Sequence, residues 1–483
     1  MSDTRPHTST WQVIRHRIWM TGLLLLITAC SAVPVRDPVA MSLPADFSSS
    51  GAAALPDHWW ESLDDPVLDS LVERALAQNF SLQSVWARLD QAAAAERIAS
   101  AGLYPSLDIE GSASRSWSHG DSGSTINNFS AGAMASYELD LWGRIDSTSK
   151  AAMLDRQAGE AELTAAAISL SAEVASTWYE LVEQYGQQAL VNGQLETNDK
   201  VLELITLRFR RGKVGATDVL QQRQLVESNR GELANIQSLI DVLEHRLAIL
   251  LGETPDARVT EPRAELIQLP ALPETGIPVE LVQRRPDLRQ GFYSLQAADQ
   301  RIAAAVSDRL PRISLAGSSN STASDANDLF DDWLSNLAGN LVAPVIDGGR
   351  RRAEVERTRA VAEQSLNDYR QLLVDALGEV EDALAREQQQ RALIDSLDKQ
   401  LVLSRQVIGR VRDSYLYGAV DYLRVLDVLL TNQNLERNRL TAQRDLIDNR
   451  IALYRALAGG WPLQRPIGQD LPAERRITHV SPR

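Results

Sequence analysis

The sequence predicts a mainly α fold with a membrane β-barrel portion. Long α-helical hairpins form a helical barrel, and four β-strands per chain enter a twelve-stranded barrel shared by a trimer. Three observations predict it. Two proline-free stretches, Ile145 to Arg211 and Arg350 to Tyr417, are far longer than ordinary helices. Four short segments alternate apolar and polar side chains with the period of a strand. The chain also repeats itself: displaced by 206 positions, Pro105 falls on Pro311, Gly143-Arg144 on Gly349-Arg350, Gly212 on Gly418 and Leu251 on Leu457. Turns and breakers held in one register over so long a span mark an internal duplication, with a unit too long for a solenoid repeat.

Composition narrows the function classes. Of 483 residues, 44% are hydrophobic and 23% charged, which suits a folded chain, while the low aromatic content of 5% and abundant Ala, Leu, Gln, Glu and Arg suit extended helices. A net charge of −15 argues against nucleic acid as a partner, because phosphate binding needs a basic surface. One cysteine excludes a disulfide framework and a Cys-based zinc site. The six histidines have no metal-pair spacing, and no nucleophile motif is present. Acidic pairs such as Glu379/Glu381 and Asp331/Asp332 are solvated charges. The expectation is a protein with no cofactor and no catalytic residues.

Residues 1–29 form a signal peptide: Arg15 and Arg17 precede an apolar run from Ile18 through Leu23 to Ile27. The run is too short to span a bilayer stably, and no later segment approaches the length needed. It ends on the sole cysteine, and Ile27-Thr28-Ala29-Cys30 resembles a bacterial lipobox. Cys30 is thus the expected lipidation site, with Ser31 favouring outer-membrane sorting and residues 30–65 following as a lipidated, extended segment.

The first structural repeat covers 66–270. A helix runs from Pro66 to about Gly102. Strands at 106–118 and 129–142 follow, separated by a loop from Gly120 to Asn128, and then a helical hairpin over 145–252. The second repeat covers 271–460, with a helix over roughly 276–309, strands at 312–321 and 336–346, and a hairpin over 350–458. Residues 461–483 form a tail. In the strands, Leu107, Ile109 and Ala113 alternate with Asp108, Glu110 and Ser112, as Phe129, Ala131 and Ala133 do with mostly polar neighbours. Strands of about ten residues cross a bilayer obliquely. Open edges in lipid leave backbone groups unpaired, so the sheet must close. Four strands cannot close, eight leave an interior filled by side chains, and twelve leave an aqueous lumen. A homotrimer follows.

In the hairpins, Ile394, Leu397, Leu401, Ser404, Ile408, Val411 and Tyr415 step by three and four, as do Gln188, Val191, Leu195, Asn198, Leu202, Ile205 and Phe209. Both seams carry a polar residue at the same step, a device that controls registry. Gly212 and Gly418 supply the positive φ of a tight helix reversal.

At Trp59-Trp60, Leu68-Asp69-Ser70-Leu71, Arg285-Pro286-Asp287-Leu288, Leu310-Pro311 and Asp347-Gly348-Gly349-Arg350, the chain resembles the outer-membrane efflux proteins. These are the TolC-like channels, here of the lipoprotein branch with NodT-type members. The resemblance spans almost the whole mature chain. It implies a trimeric duct in the bacterial outer membrane, lipid-anchored and extending into the periplasm. Such a duct partners a periplasmic adaptor (membrane fusion) protein and an inner-membrane transporter of RND type, and exports drugs or other small toxic compounds. It further implies a periplasmic gate at Tyr415, Asp427 and Arg424, and adaptor contacts at the turns through Arg210, Arg211, Gly212 and Lys213 on one and Gly418 and Asp421 on the other. Ser414 and Val420 stand where some members carry arginine, and Arg424 where others carry aspartate. Alternatives are an outlet of type I protein secretion and a structural periplasmic coiled coil without a barrel.

Overall fold

The computed structural model describes residues 43–54, 56–119, 124–256, 263–463 and 465, so the leader and Cys30 lie outside the described residues, as does most of the tail. A short 3-10 turn, Trp59–Leu63, opens the folded part. Helices α1 (Pro66–Gln78) and α2 (Phe80–Ala101), strands β1 (Ser106–Trp117) and β2 (Thr125–Leu139), and helices α3 (Arg144–Arg210) and α4 (Ala216–Leu250) form the first repeat. Helices α5 (Pro278–Arg284) and α6 (Pro286–Ser307), strands β3 (Arg312–Ala323) and β4 (Leu334–Val342), and helices α7 (Arg350–Leu416) and α8 (Tyr422–Leu457) form the second. Among the described residues no helix is long and apolar enough to cross a membrane.

The helix expected from Pro66 to Gly102 is two helices. Asn79 leaves helical geometry at ψ 122°, its side chain caps α2 by accepting from Leu82 N at 3.0 Å, and its amide donates to Leu250 O at 2.9 Å. The break in the second repeat falls at Arg285, which the duplication sets opposite Asn79. Here Pro286 supplies the cause, pushing the preceding residue to ψ 126°. One position thus interrupts both repeats by different chemistry.

The strand bounds also shift. β2 starts at Thr125, inside the expected loop, because Thr125 to Asn128 pair with Ser114 to Trp117. It stops at Leu139, short of 142, since the Asp140 carboxylate accepts from Asp146 N at 2.7 Å and Trp142 Nε1 donates to Pro311 O at 2.7 Å. β4 runs Leu334–Val342, so Ala343 and Val345 lie beyond it, where Pro344 has no N–H for a ladder. β3 extends to Ala323 through pairing with Phe129, and β1 ends at Trp117.

α3 and α7 each run 67 residues, roughly 100 Å at 1.5 Å per residue. The return helices α4 and α8 are only 35 and 36 residues. Beside the other part of each long helix lie the short helices, α2 and α6 against α3, and α6 against α7. Near the middle of the long helices, Trp59, Trp60, Trp178, Tyr179 and Tyr454 bury into one core with Leu68, Leu71 and Leu247.

Charged groups are buried along this middle belt, Asp65 and Arg450 the most deeply. Asp65, 1% exposed, accepts from Arg263 Nη2 at 2.7 Å, Trp178 Nε1 at 3.0 Å and Tyr179 Oη at 3.2 Å, and caps α1 through Val67 N at 3.2 Å. Arg450, fully buried, forks onto Glu387 at 2.6 and 2.9 Å and donates to the carbonyls of Pro270 and Ala271 at 3.2 and 3.0 Å. It thereby fastens the linker between repeats to the second hairpin. Burial pushes the Asp65 carboxyl up, but hydrogen bonds from Arg263 and Trp178 and the Arg263 charge outweigh it and hold the group below its ordinary value.

A depressed folded-state pKa stabilises the fold above the unfolded value, about 3.9, and that contribution fades as pH falls through the folded pKa. Asp65→Ala is therefore expected to lower stability by about 3 kcal/mol at neutral pH. Unfolding in detergent, followed by tryptophan fluorescence, should show the gap between parent and variant narrowing below about pH 4. A gap that widens in acid would contradict this account.

Candidate functional site: a two-faced sheet and a helical tip

The four strands pair in sequence order, all antiparallel. Register aligns Leu107 with Ala135, Ala135 with Gly317 and Gly317 with Leu337, so these residues share one face. That face also carries Ile109, Phe129, Tyr137, Leu315 and Leu341. Ile109 is 86% exposed and Leu337 83%, which no water-facing sheet would tolerate in such number. The opposite face carries Ser106, Asp108, Glu110, Ser130, Ser318 and Asn336. Serine pairs bridge its strands, Ser106 to Ser136 and Ser112 to Ser130, each at 2.8 Å between hydroxyls. Ile126, Met134, Leu334 and Val342 are apolar exceptions on this polar face, and Arg115, Asn127 and the Ser319–Ser335 pair are polar exceptions on the other. Apolar outside and polar inside is the pattern of a barrel wall that separates hydrocarbon from a wet lumen.

At the far end of the helices the two reversals use one device. Gly212 N–H bonds to Phe209 O at 2.8 Å and Lys213 N–H to Arg208 O at 2.9 Å, while Gly418 bonds to Tyr415 O at 3.0 Å and Ala419 to Ser414 O at 2.8 Å. These are Schellman closures with glycine in the left-handed region, at φ 63° and 77°. The helices that follow start differently. Asp421 caps α8 by accepting from Arg424 N at 3.0 Å, whereas Gly215 offers α4 no side-chain cap.

Between the reversals and the rest of the hairpins lies a small core of Ile205, Val219, Leu225, Tyr422 and Leu426, with Tyr415 packed against it. The Tyr415 and Tyr422 rings lie 5.8 Å apart. The Tyr422 hydroxyl donates to Gln222 Oε1 at 2.5 Å, and the guanidinium of Arg208 sits 4.7 Å from the Tyr415 ring centroid. The Tyr415 hydroxyl is enclosed and has no hydrogen-bond partner among the described residues. Burial raises both phenols above their ordinary values; Arg208 opposes this at Tyr415, and nearby Asp218 reinforces it at both.

Of the residues singled out from the sequence, Tyr415 therefore points into the tip core. Asp427 and Arg424 pair with each other at 3.0 Å on the exposed side of α8, and no hydrogen bond joins them to Tyr415. Arg210, Arg211, Lys213 and Asp421 lie exposed around the reversals. Arg208, Gln222 and Tyr422 were not singled out. The duplication held a signal for Arg208, which it sets opposite Ser414, beside the tyrosine.

Above the tip the two hairpins meet along a polar seam. The amide of Gln187 donates to Thr441 at 3.2 Å, that of Gln194 to Gln433 O at 3.4 Å, and that of Gln433 to Asn198 Oδ1 at 3.4 Å. Among the described residues no cluster of His, Cys, Asp or Glu is arranged to hold a metal ion.

The profile of the family described as outer membrane efflux protein matches residues 71–253 and again 277–459, two segments displaced by the same 206 positions (277 less 71, 459 less 253). The pyoverdine export outer membrane protein OpmQ of Pseudomonas aeruginosa is 31% identical, over 91% of this chain and 96% of its own. The cation efflux system protein CusC of Escherichia coli K12 is 29% identical, over 90% of this chain and 97% of its own. A crystal structure of CusC superposes with a TM-score of 0.81 at 28% identity, covering 88% of this chain and 99% of that one. The outer-membrane channel OprN gives 0.79 at 27% identity, covering 88% and 96%.

At Gly418 an added Cβ would meet nothing within 4 Å, so only the positive φ resists a side chain. Gly418→Ala is expected to destabilise the reversal by about 1 kcal/mol, with Gly418→Asn milder. Hydrogen exchange should quicken several-fold at amides near the turn and stay unchanged in the tryptophan core; unchanged exchange at the turn would refute the closure described.

Proposed function

This chain belongs to the outer membrane efflux protein family, and on that premise we propose how it works as the outer-membrane channel of a tripartite efflux pump. One observation carries the reading. A sheet with an apolar and a polar face, open at both edges, continues through Gly143 and Gly349 into helices of about 100 Å. A wall of that kind encloses a duct from the outer membrane into the periplasm once its edges are closed.

Three copies close it, giving twelve strands and a water-filled lumen. Exposed apolar residues at heptad spacing on α4, Leu239, Val242 and Ile249, and on α7, Leu393, Val407 and Leu403, supply seams between neighbouring copies. A lipid on Cys30 anchors the trimer in the outer-membrane leaflet facing the periplasm. Arg210, Arg211, Gly212, Lys213, Gly418 and Asp421 form the rim that meets an adaptor, which couples the duct to an inner-membrane transporter of RND type. Tyr415, with Arg424 and Asp427, belongs to the constriction at that rim. The duct is passive and uses neither catalysis nor cofactor. Relatives of similar identity are named for pyoverdine, cations and toluene, which supports a cargo choice made by the transporter and not by the duct.

A strain lacking this chain should become more susceptible to a subset of small toxic compounds, and the full-length gene should restore resistance. Unchanged susceptibility across a broad panel that includes metal cations would count against drug or cation export. The purified protein in detergent should have the native mass of three chains. Cys30→Ser should abolish palmitate labelling; persistence of the label would move the anchor elsewhere.

A further inference from the structure

Beside the Tyr422–Gln222 hydrogen bond, the tip holds a second contact that crosses from the first hairpin to the second and that the channel reading leaves unused. Arg208 lies in the last turn of α3, and Tyr415 in the last turn of α7. The guanidinium stands over the phenol ring at 4.7 Å, inside the range at which a cation is drawn to a ring face. Arg208 forms no ion pair among the described residues, so its charge is directed at the ring and not diverted to a carboxylate. The phenol oxygen is enclosed and unpartnered, so the ring and not the hydroxyl makes the link. Tyr422 lies beside the ring at a tilt and is itself held by Gln222 from α4, so all four helices of the tip converge on this aromatic pair.

We propose that Arg208 latches the two hairpins of one chain together at the periplasmic tip, by a cation–π contact with the face of Tyr415. This rests on the reading of the tip as the channel's constriction. The exposed Arg424–Asp427 pair joins residues three apart on one helix, so it braces α8 and cannot hold one hairpin to another. The Arg208–Tyr415 contact does join them. A latch of this kind keeps its strength when the tyrosine is replaced by phenylalanine, and loses it when either the cation or the ring is removed. Repetition in three copies makes the closed state sensitive to a link that is modest in each.

The test uses full-length trimers in planar bilayers, with resting single-channel conductance as the readout and heat-modifiable trimer mobility as the check on assembly. Arg208→Gln and Tyr415→Leu should each raise the open-to-closed ratio, by roughly fivefold per broken link. Combining them should add little to either. Arg208→Lys and Tyr415→Phe, which keep the cation and the ring, should hold the resting channel shut. If Tyr415→Phe opens the channel as far as Tyr415→Leu, the hydroxyl is the link and the latch proposal is overturned. Opening by Tyr415→Leu but not by Arg208→Gln removes Arg208 from the gate and leaves the constriction standing. Parent-like conductance in both variants overturns the constriction at Tyr415 itself, with the channel assignment intact.

Discussion

The unpaired edges of β1 and β4 are the constraint on which the rest of the molecule depends. Each edge presents a row of N–H and C=O groups, and in hydrocarbon each such group left alone costs several kcal/mol. Among the described residues no strand covers them, because the pairing order leaves β1 and β4 on opposite sides of the sheet. The strands alternate in direction, so β4 of one copy runs antiparallel to β1 of the next, and copies can join without a break in the ladder pattern. Closure by identical copies then dictates the helical part. Each chain must supply the same fraction of the tube below as of the barrel above, and the glycines at 143 and 349 turn each repeat from one into the other at φ 71° and 84°.

Much of this was legible in the sequence, and the reason is that breakers are local. Gly143, Gly212, Gly349 and Gly418 need the left-handed region at fixed places, and no neighbour can substitute for that requirement. Their common displacement therefore exposed the duplication. The strand faces were legible for a similar reason, since a one-residue slip would exchange Leu107 with Asp108 between lipid and water. Strand ends were less so. Asn127 and Asn128 have the composition of a loop, yet pairing across from Arg115 and Ser114 keeps them in the ladder. The break at Asn79 was also hidden, because an asparagine inside an apolar helical run shows its capping role only when its partners, Leu82 and Leu250, are in place. Arg208 and Gln222 were missed because their partners lie on other helices, and heptad spacing reports which face a residue occupies but not what stands opposite.

The two repeats share a backbone and differ in how they secure it. At the helix interruption one uses an asparagine cap and the other a proline. At the reversals both use glycine, but only the second starts its return helix with a side-chain cap, and only the first is ringed by Arg210, Arg211 and Lys213. Duplication preserves what the chain path requires and frees the side chains to diverge. The conformational work of the tip is divided accordingly, with the cation on the first hairpin and the ring that receives it on the second.

Along the hairpins the character of the packing changes from the middle belt toward the tip. The middle belt is mostly apolar, with Trp59, Trp178 and Tyr454 buried and the charges of Asp65 and Arg450 each met by several partners. Toward the tip the hairpins face one another through Gln187, Gln194, Asn198 and Gln433. Here Gln187 Oε1, Asn198 Nδ2 and Gln433 Oε1 have no partner among the described residues. An apolar jigsaw resists displacement because every shift opens a void, whereas amides with unused donors and acceptors can exchange partners as helices slide. The belt therefore fixes the tube while the seam below it yields at low cost. At the end the hairpins meet again through a small aromatic core, where Arg208 stands over Tyr415 and Tyr422 bonds to Gln222.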